Sequence, residues 1–406
     1  MNHKILKKIF IIILILLFLL SFSSSYSSLN INNLAIVVAM GIDVADNNNL
    51  KLTFQFTNAS SISESGSSEK SPSIIYTVEA SSISSGINLI NSHIGKELSL
   101  SHCKLIAFSE ELASKGISKE IYTLVNDTQV RPSTNIIITK CTAKYYLESS
   151  KPLFESLLTK YYEVFSNSSK YTGFSSSITI GEFFNKMLCT SCQPSAILGG
   201  VEDGSQKTPT SNINSENIIS NSSPVSGDSK AENIGLAVFK NDVLVGELNS
   251  IETLCSLIIG NKVSGFLVSV PNPSKSNSYL DIYITPLNET KFKVDIINGT
   301  PYISVKCRFT GRIYSMEENS KYLDDKLLKE ISDSCNSYIK SVMTDYLYKT
   351  SKYLKSDINS FGKAAQSKFL TTKDFNDYNW NEKYKDSFFD VEIDSSIRSS
   401  FLITES

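Results

Sequence analysis

Hydrophobic and polar positions along the chain fall into a leader and two patterned regions. Lys4, Lys7 and Lys8 precede an unbroken apolar run from Ile9 to Leu20, and mostly small residues follow from Ser21 to Ser28. This is the tripartite layout of an export signal over 1–28. The run rises only ~18 Å as a helix, short of a ~30 Å hydrocarbon core. A retained N-terminal anchor, lengthened by Ile5, Leu6 and Phe22, is the alternative.

The region 29–198 alternates strand and helix patterns. Leu34 to Ile42 is short, apolar and β-branched, as a buried strand requires. Asp46 to Asn49 supply a turn, and Leu50, Leu52, Phe54 and Phe56 alternate with polar residues, which predicts a hairpin. Ser60 to Ser73 reads as a loop, and Ile74 to Ala80 as a third strand. Helices are predicted over Ser84–Ile94 and Glu110–Val125, and strands over Cys103–Phe108 and Thr134–Thr139. Such alternation favours crossover packing on one sheet. The subregion 144–190 reads as largely helical, with Pro152 at a helix start and a short second helix over Thr179–Leu188. Residues 199–231, rich in Ser, Asn, Gly and Pro, read as an exposed interdomain link.

In 232–406, Ile234–Phe239 and Val243–Gly246 flank Asn241-Asp242, which suits a tight hairpin turn. A short helix is predicted over Ile251–Ile259. Strands with strict alternation follow, placing Ile303, Val305, Cys307 and Phe309 on one face and Lys306 and Arg308 on the other. A last strand buries Phe389, Val391 and Ile393 and exposes Asp390, Glu392 and Asp394. If it lies beside the basic strand, opposite charges meet across the ladder, worth ~0.2–1 kcal/mol per pair. One long helix over about 324–355 carries Ile331, Cys335, Ile339, Val342 and Tyr346 on a single face and should cover that sheet. The expected class is therefore α+β and multi-domain. Mixed or antiparallel sheets are covered by helices, and the C-terminal sheet is packed by one long helix.

Composition adds exclusions. Among 406 residues, 39 Lys+Arg balance 41 Asp+Glu, for a net charge of −2, which argues against a nucleic-acid binder with a basic body. The three histidines are His3, His93 and His102, so a His-rich metal centre has little to draw on. No GxSxG, HExxH, Walker or GxGxxG pattern occurs. Asp43 and Asp46 lack the spacing of a calcium loop and read as turn residues. Cys189-Thr-Ser-Cys192 follows a helix rather than opening one and leads into Pro194. That disfavours a redox thiolate and leaves a short structural disulfide or free thiols. His102 and Cys103, adjacent on a strand, point to opposite faces and cannot form a catalytic pair. No catalytic, cofactor-binding or metal-ligating residue is assigned.

Several segments together resemble the Ger(x)C family, the C subunits of spore nutrient germinant receptors. Asn33 to Asp43 (NLAIVVAMGID) is similar to the family's opening, with Gly41 and Asp43 in its Gly-Ile-Asp. Ser101 to Gly116 (SHCKLIAFSEELASKG) resembles a second block, with His102. Ile234 to Gly246 (IGLAVFKNDVLVG), the most specific, contains Gly235, Phe239 and Gly246. Ser356 to Gly362 (SDINSFG) contains Asp357 and is similar to a glycine motif that here keeps only Gly362; Trp380 lies where the family has a tryptophan beyond it.

The resemblance implies a non-enzymatic subunit that needs no cofactor. It would sit at the outer face of the inner spore membrane beside integral-membrane A-type and B-type subunits, in a complex that senses nutrients and triggers germination. The seven motif residues would serve structure and contact. The family's lipid-bearing cysteine after the leader is missing, since Cys103 is the first cysteine, so a lipid anchor is not expected and a retained N-terminal helix is the alternative to cleavage. Two other classes remain open: an extracellular solute-binding module, and a secreted thiol enzyme using Cys189 and Cys192.

Overall fold

A computed structural model describes residues 33–57, 73–152, 154–155, 157–202, 217–225, 227–276, 278–314 and 325–398, together with 3, 7, 8 and 10–15 of the leader. The leader's cleavage region, the loop over 60–72 and the middle of the polar link lie outside the described residues. Residues 10–15 are helical and exposed. Among the described residues, no helix is long and apolar enough to cross a membrane.

The fold is α+β, with two sheets. The first contains β1 (Leu34–Val44), β2 (Leu50–Thr57), β3 (Ser73–Ala80), β4 (Glu97–Ser99), β5 (Leu105–Ser109), β6 (Asn135–Thr139), β7 (Ser195–Val201), β8 (Ala231–Lys240) and β9 (Val243–Leu248). Their order is β3-β2-β1-β5-β6-β7-β8-β9, with β4 beside the start of β1. β1, β5, β6 and β7 run parallel, while the outer strands pair antiparallel. The central strands are buried on both faces, which is why Leu34–Ile42 reads as a continuous apolar run.

The second sheet contains β10 (Phe266–Pro271), β11 (Tyr279–Pro286), β12 (Lys291–Ile297), β13 (Thr300–Ile313) and β14 (Phe388–Arg398). β13 is its spine. β11 and β12 share one side of it antiparallel, and β14 takes the other side parallel. The charge-pairing expectation holds. Lys306 faces Glu392 and Arg308 faces Asp394 in register, and both pairs form ion pairs. All four side chains are well exposed, so the pairs fix strand neighbours more than they add stability. The long helix spans Asp325–Tyr348 and ends in a π turn over Lys349–Tyr353. It buries Ile331, Cys335, Ile339, Met343 and Tyr346 along β14 and the sheet.

Four expectations are corrected. The hairpin at Asn241-Asp242 forms, with Asn241 at φ +57°, but it pairs onto β7 and extends the first sheet. The passage from the first sheet to the second therefore runs through the helix Ser250–Ile259, which touches β8, β9 and the long helix. The stretch Glu110–Val125 is two helices, Glu110–Lys115 and Ser118–Asn126, divided at Gly116, whose φ of +99° cannot continue a helix. The subregion 144–190 is likewise broken into short helices, one of them closed by Gly173 at φ +72°. Finally, the polar link is not exposed at its ends. Gly199–Val201 completes β7, and the buried Ser220 hydroxyl donates to Leu198 O at 3.0 Å.

Candidate functional site

Five of the seven motif residues fall into two packing joints, Gly235 makes a separate backbone contact, and His102 is an outlier. The first joint seats the helix Ala143–Ser149 on β1. Asp43 is buried at the carboxyl end of β1, where Oδ1 accepts from Ala143 N at 2.7 Å and Oδ2 from Lys144 N at 3.1 Å. A carboxylate there meets the orphan donors and the positive end of the helix. Burial pushes its pKa up, and the two N–H groups, with Ser109, pull it back. Gly41 lies two residues earlier on the strand. A Cβ there would meet Ala143 Cβ at 3.1 Å and Leu147 Cδ1 at 3.2 Å, so glycine sets how closely the helix approaches. Gly41→Val should destabilise the protein by about 1–3 kcal/mol through overpacking, measured by chemical denaturation. A wild-type midpoint in that variant would remove Gly41 from this role.

The second joint holds the two sheets together around Asp357. Its side chain is 1% exposed. Oδ1 accepts from Phe361 N at 3.0 Å, and Oδ2 from Gly362 N at 2.8 Å and Trp380 Nε1 at 2.9 Å. Its backbone carbonyl accepts from Gln193 N at 3.0 Å. Gln193 Oε1 in turn accepts from Asn241 N at 2.6 Å, within the β8–β9 turn. The adjacent Ser356 hydroxyl donates to Phe239 O at 2.6 Å, and the Phe239 ring meets Phe183 edge-on at 4.9 Å. Gly246 lets Leu354 in, since a Cβ there would lie 2.6 Å from Leu354 Cδ2. On the second-sheet side, Phe361 packs on Phe292 of β12 at 5.0 Å.

Burial pushes the Asp357 carboxyl up to about 6, against the pull of its N–H donors and the Lys186 ammonium. Lys186, driven down by its own burial, donates to Ile358 O at 2.8 Å.

Cys189 and Cys192 are joined, with a Cα–Cα separation of 5.5 Å. The turn they close follows the C-terminal end of the helix Ile180–Met187. The helix dipole there disfavours a thiolate, so the pair is poorly placed for thiol catalysis. Instead the turn is a wedge in the joint. The Ser191 carbonyl would lie 2.3 Å from a Cβ on Gly362.

Gly235 lies in β8 at φ +104°, with its N–H donated to Phe174 O at 2.7 Å; a Cβ would lie 2.4 Å from Leu248 O. His102 is the outlier, exposed on the turn before β5 and apart from both joints. Cys103 beside it is buried, with Sγ donating to Leu105 O. Cys255, Cys307 and Cys335 are also buried, and their thiols are raised by burial.

Three participants carry no sequence signal of their own. Gln193 and Ser191 act through backbone atoms or a buried amide. Asp242 reads as a turn residue but also caps the helix Ser118–Asn126, accepting from Ser118 N at 3.2 Å. Among the described residues, no group of three or more His, Cys, Asp or Glu side chains is placed to hold a metal ion.

Two family models match the chain, and their boundary does not follow the two sheets, since β8 and β9 of the first sheet fall within the second match. Residues 27–202 match the model for the spore germination protein N-terminal domain. Residues 234–400 match that for the spore germination B3/GerAC-like C-terminal domain. The chain is similar to spore germination protein KC of Bacillus subtilis (strain 168), 23% identical over 382 residues, covering 92% of this chain and 91% of that protein. Among solved structures it is similar to the GerBC protein, with 16% identity and a TM-score of 0.49 over 88% of this chain and 96% of that one.

Proposed function

The chain belongs to the Ger(x)C family of spore germination proteins, and from that membership we propose that it is the non-enzymatic C subunit of a spore nutrient germinant receptor. It acts by contact. Exported and held at the outer face of the inner spore membrane by its N-terminal helix, it docks on integral-membrane A-type and B-type subunits and supports germinant-triggered germination. The observation that carries this reading is the use made of the motif residues. Gly41, Asp43, Phe239, Gly246 and Asp357 seat a helix or lock the two sheets into one body. A rigid two-sheet body suits a part that transmits contact between neighbours, because it presents its surfaces in a fixed relation.

Deleting the gene should slow or abolish germination in response to at least one nutrient, measured as loss of spore refractility. Germination triggered without nutrients should be unaffected. Unchanged nutrient responses across a broad germinant panel would count against the role.

A further inference from the structure

We propose that the cleft over the Cys189–Cys192 turn is a binding site for a small, neutral, polyhydroxylated molecule. The cleft has a volume of about 460 Å³. Leu188 and Thr190, with Asn241, line it from the first-sheet side, and Asn376, Trp380 and Asn381 from the second. Asn379 completes the rim. It therefore straddles the seam between the two halves, a favoured location for small-molecule sites.

The lining chemistry selects the ligand class. Among the described residues, none that lines the cleft carries a formal charge, so an anion or cation would find no counter-charge. Four carboxamides remain, each offering two donors and an acceptor. Hydroxyl groups, which both donate and accept, match that pattern. These four side-chain amides make no hydrogen bond to another described residue; Asn241, Asn376 and Asn379 are exposed, so a ligand hydroxyl would replace water there. The Asn381 Oδ1 atom is buried without a partner, an acceptor that a ligand hydroxyl would satisfy.

Backbone need accounts for only half of these asparagines. Asn241 and Asn379 sit at φ +57° and +55°, where asparagine is favoured. Asn376 and Asn381 lie within the helices Thr372–Tyr378 and Trp380–Lys383, where asparagine is a poor helix former and has no such reason.

Trp380 is the sole tryptophan of the chain, so its emission reports on the cleft. Purified full-length protein would be titrated with D-glucose and myo-inositol, beside citrate and L-alanine. The expected result is a saturable emission change with at least one of the two polyols and none with citrate or L-alanine. The apparent affinity should weaken about threefold to tenfold in Asn376→Leu, as for one lost hydrogen bond. Asn379→Gly keeps the backbone freedom, removes the amide and should weaken binding similarly. Because the site is independent of the docking role, loss of germination function with binding retained leaves this proposal standing. Saturation by neither polyol, saturation by citrate or L-alanine, or wild-type affinity in both variants would overturn it.

Discussion

Replacing Asp357 by alanine should cost the folded protein about 2–4 kcal/mol at neutral pH. The carboxyl is buried and receives N–H donors from Phe361, Gly362 and Trp380. Truncation relieves the burial of a charge but orphans three donors, each of which costs ~1–3 kcal/mol when buried and unmet. It also leaves Lys186 without the nearby negative charge that favours its ammonium form. The first outcome is therefore a large loss of stability with Trp380 emission shifted toward that of an exposed indole.

Asp357 also gives a pH signature with a definite sign. Its folded pKa is raised to about 6, above the ordinary carboxylate value of about 3.9. Between those values the folded state binds more protons than the unfolded state, so stability contributed by this group rises as pH falls from 6 toward 4 and is lost as pH rises through 6. The span is on the order of 2–3 kcal/mol. Asp357→Asn keeps one acceptor oxygen, should lose less stability than alanine, and should remove this slope. Denaturation midpoints collected across the range test it. A slope that persists in Asp357→Asn assigns the titration to another group.

Gly362→Ala should be nearly as damaging, by about 2–4 kcal/mol, although it adds one methyl group. That methyl would lie 2.3 Å from Ser191 O and 2.5 Å from Trp380 Cδ1. Neither neighbour yields easily. Ser191 lies in the turn closed by Cys189 and Cys192, and Trp380 is buried and bonded to Asp357. Overpacking against fixed atoms commonly costs 1–3 kcal/mol and occasionally more (about the range expected here). Because Asp357 and Gly362 share the Trp380 contact, the double variant should lose less than the sum of the two. Additive losses would show that they act separately. A Gly362→Ala protein as stable as wild type would show that the Cys189–Cys192 turn can move aside.

Much of the second sheet was legible because its strands have one wet face. Alternation exposes the register, and the charges on Lys306, Arg308, Glu392 and Asp394 mark which strands are neighbours. Strands buried on both faces were harder. β7 (SAILGGV) has no alternation and two glycines, so its sequence looks like loop. The β8–β9 hairpin was visible as a hairpin, but nothing in its residues says which sheet it joins; that is set by burial against β7 after the chain has passed through the polar link. Breaks at Gly116 and Gly173 were hidden in helical periodicity, since glycine inside such a pattern is tolerated as often as it terminates.

The joint around Asp357 was half legible. Asp357, Phe239, Gly246 and Trp380 could be singled out by their place in recurring blocks, but not their convergence. Phe239 and Asp357 are 118 residues apart in sequence and are brought together by the Ser356 hydroxyl and the Gln193 backbone. Partners that act through main-chain atoms leave no trace in residue identity. Sequence reading placed Cys189 and Cys192 in a structural role and could not show that their turn is the surface on which Gly362 closes.

The most direct test of the receptor-subunit reading is co-purification of the tagged full-length chain from spore membranes. The expected result is recovery of integral-membrane A-type and B-type receptor subunits with the wild-type chain, and reduced recovery with Gly362→Ala at equal expression. Recovery of the intact wild-type chain from those membranes with neither subunit would contradict it.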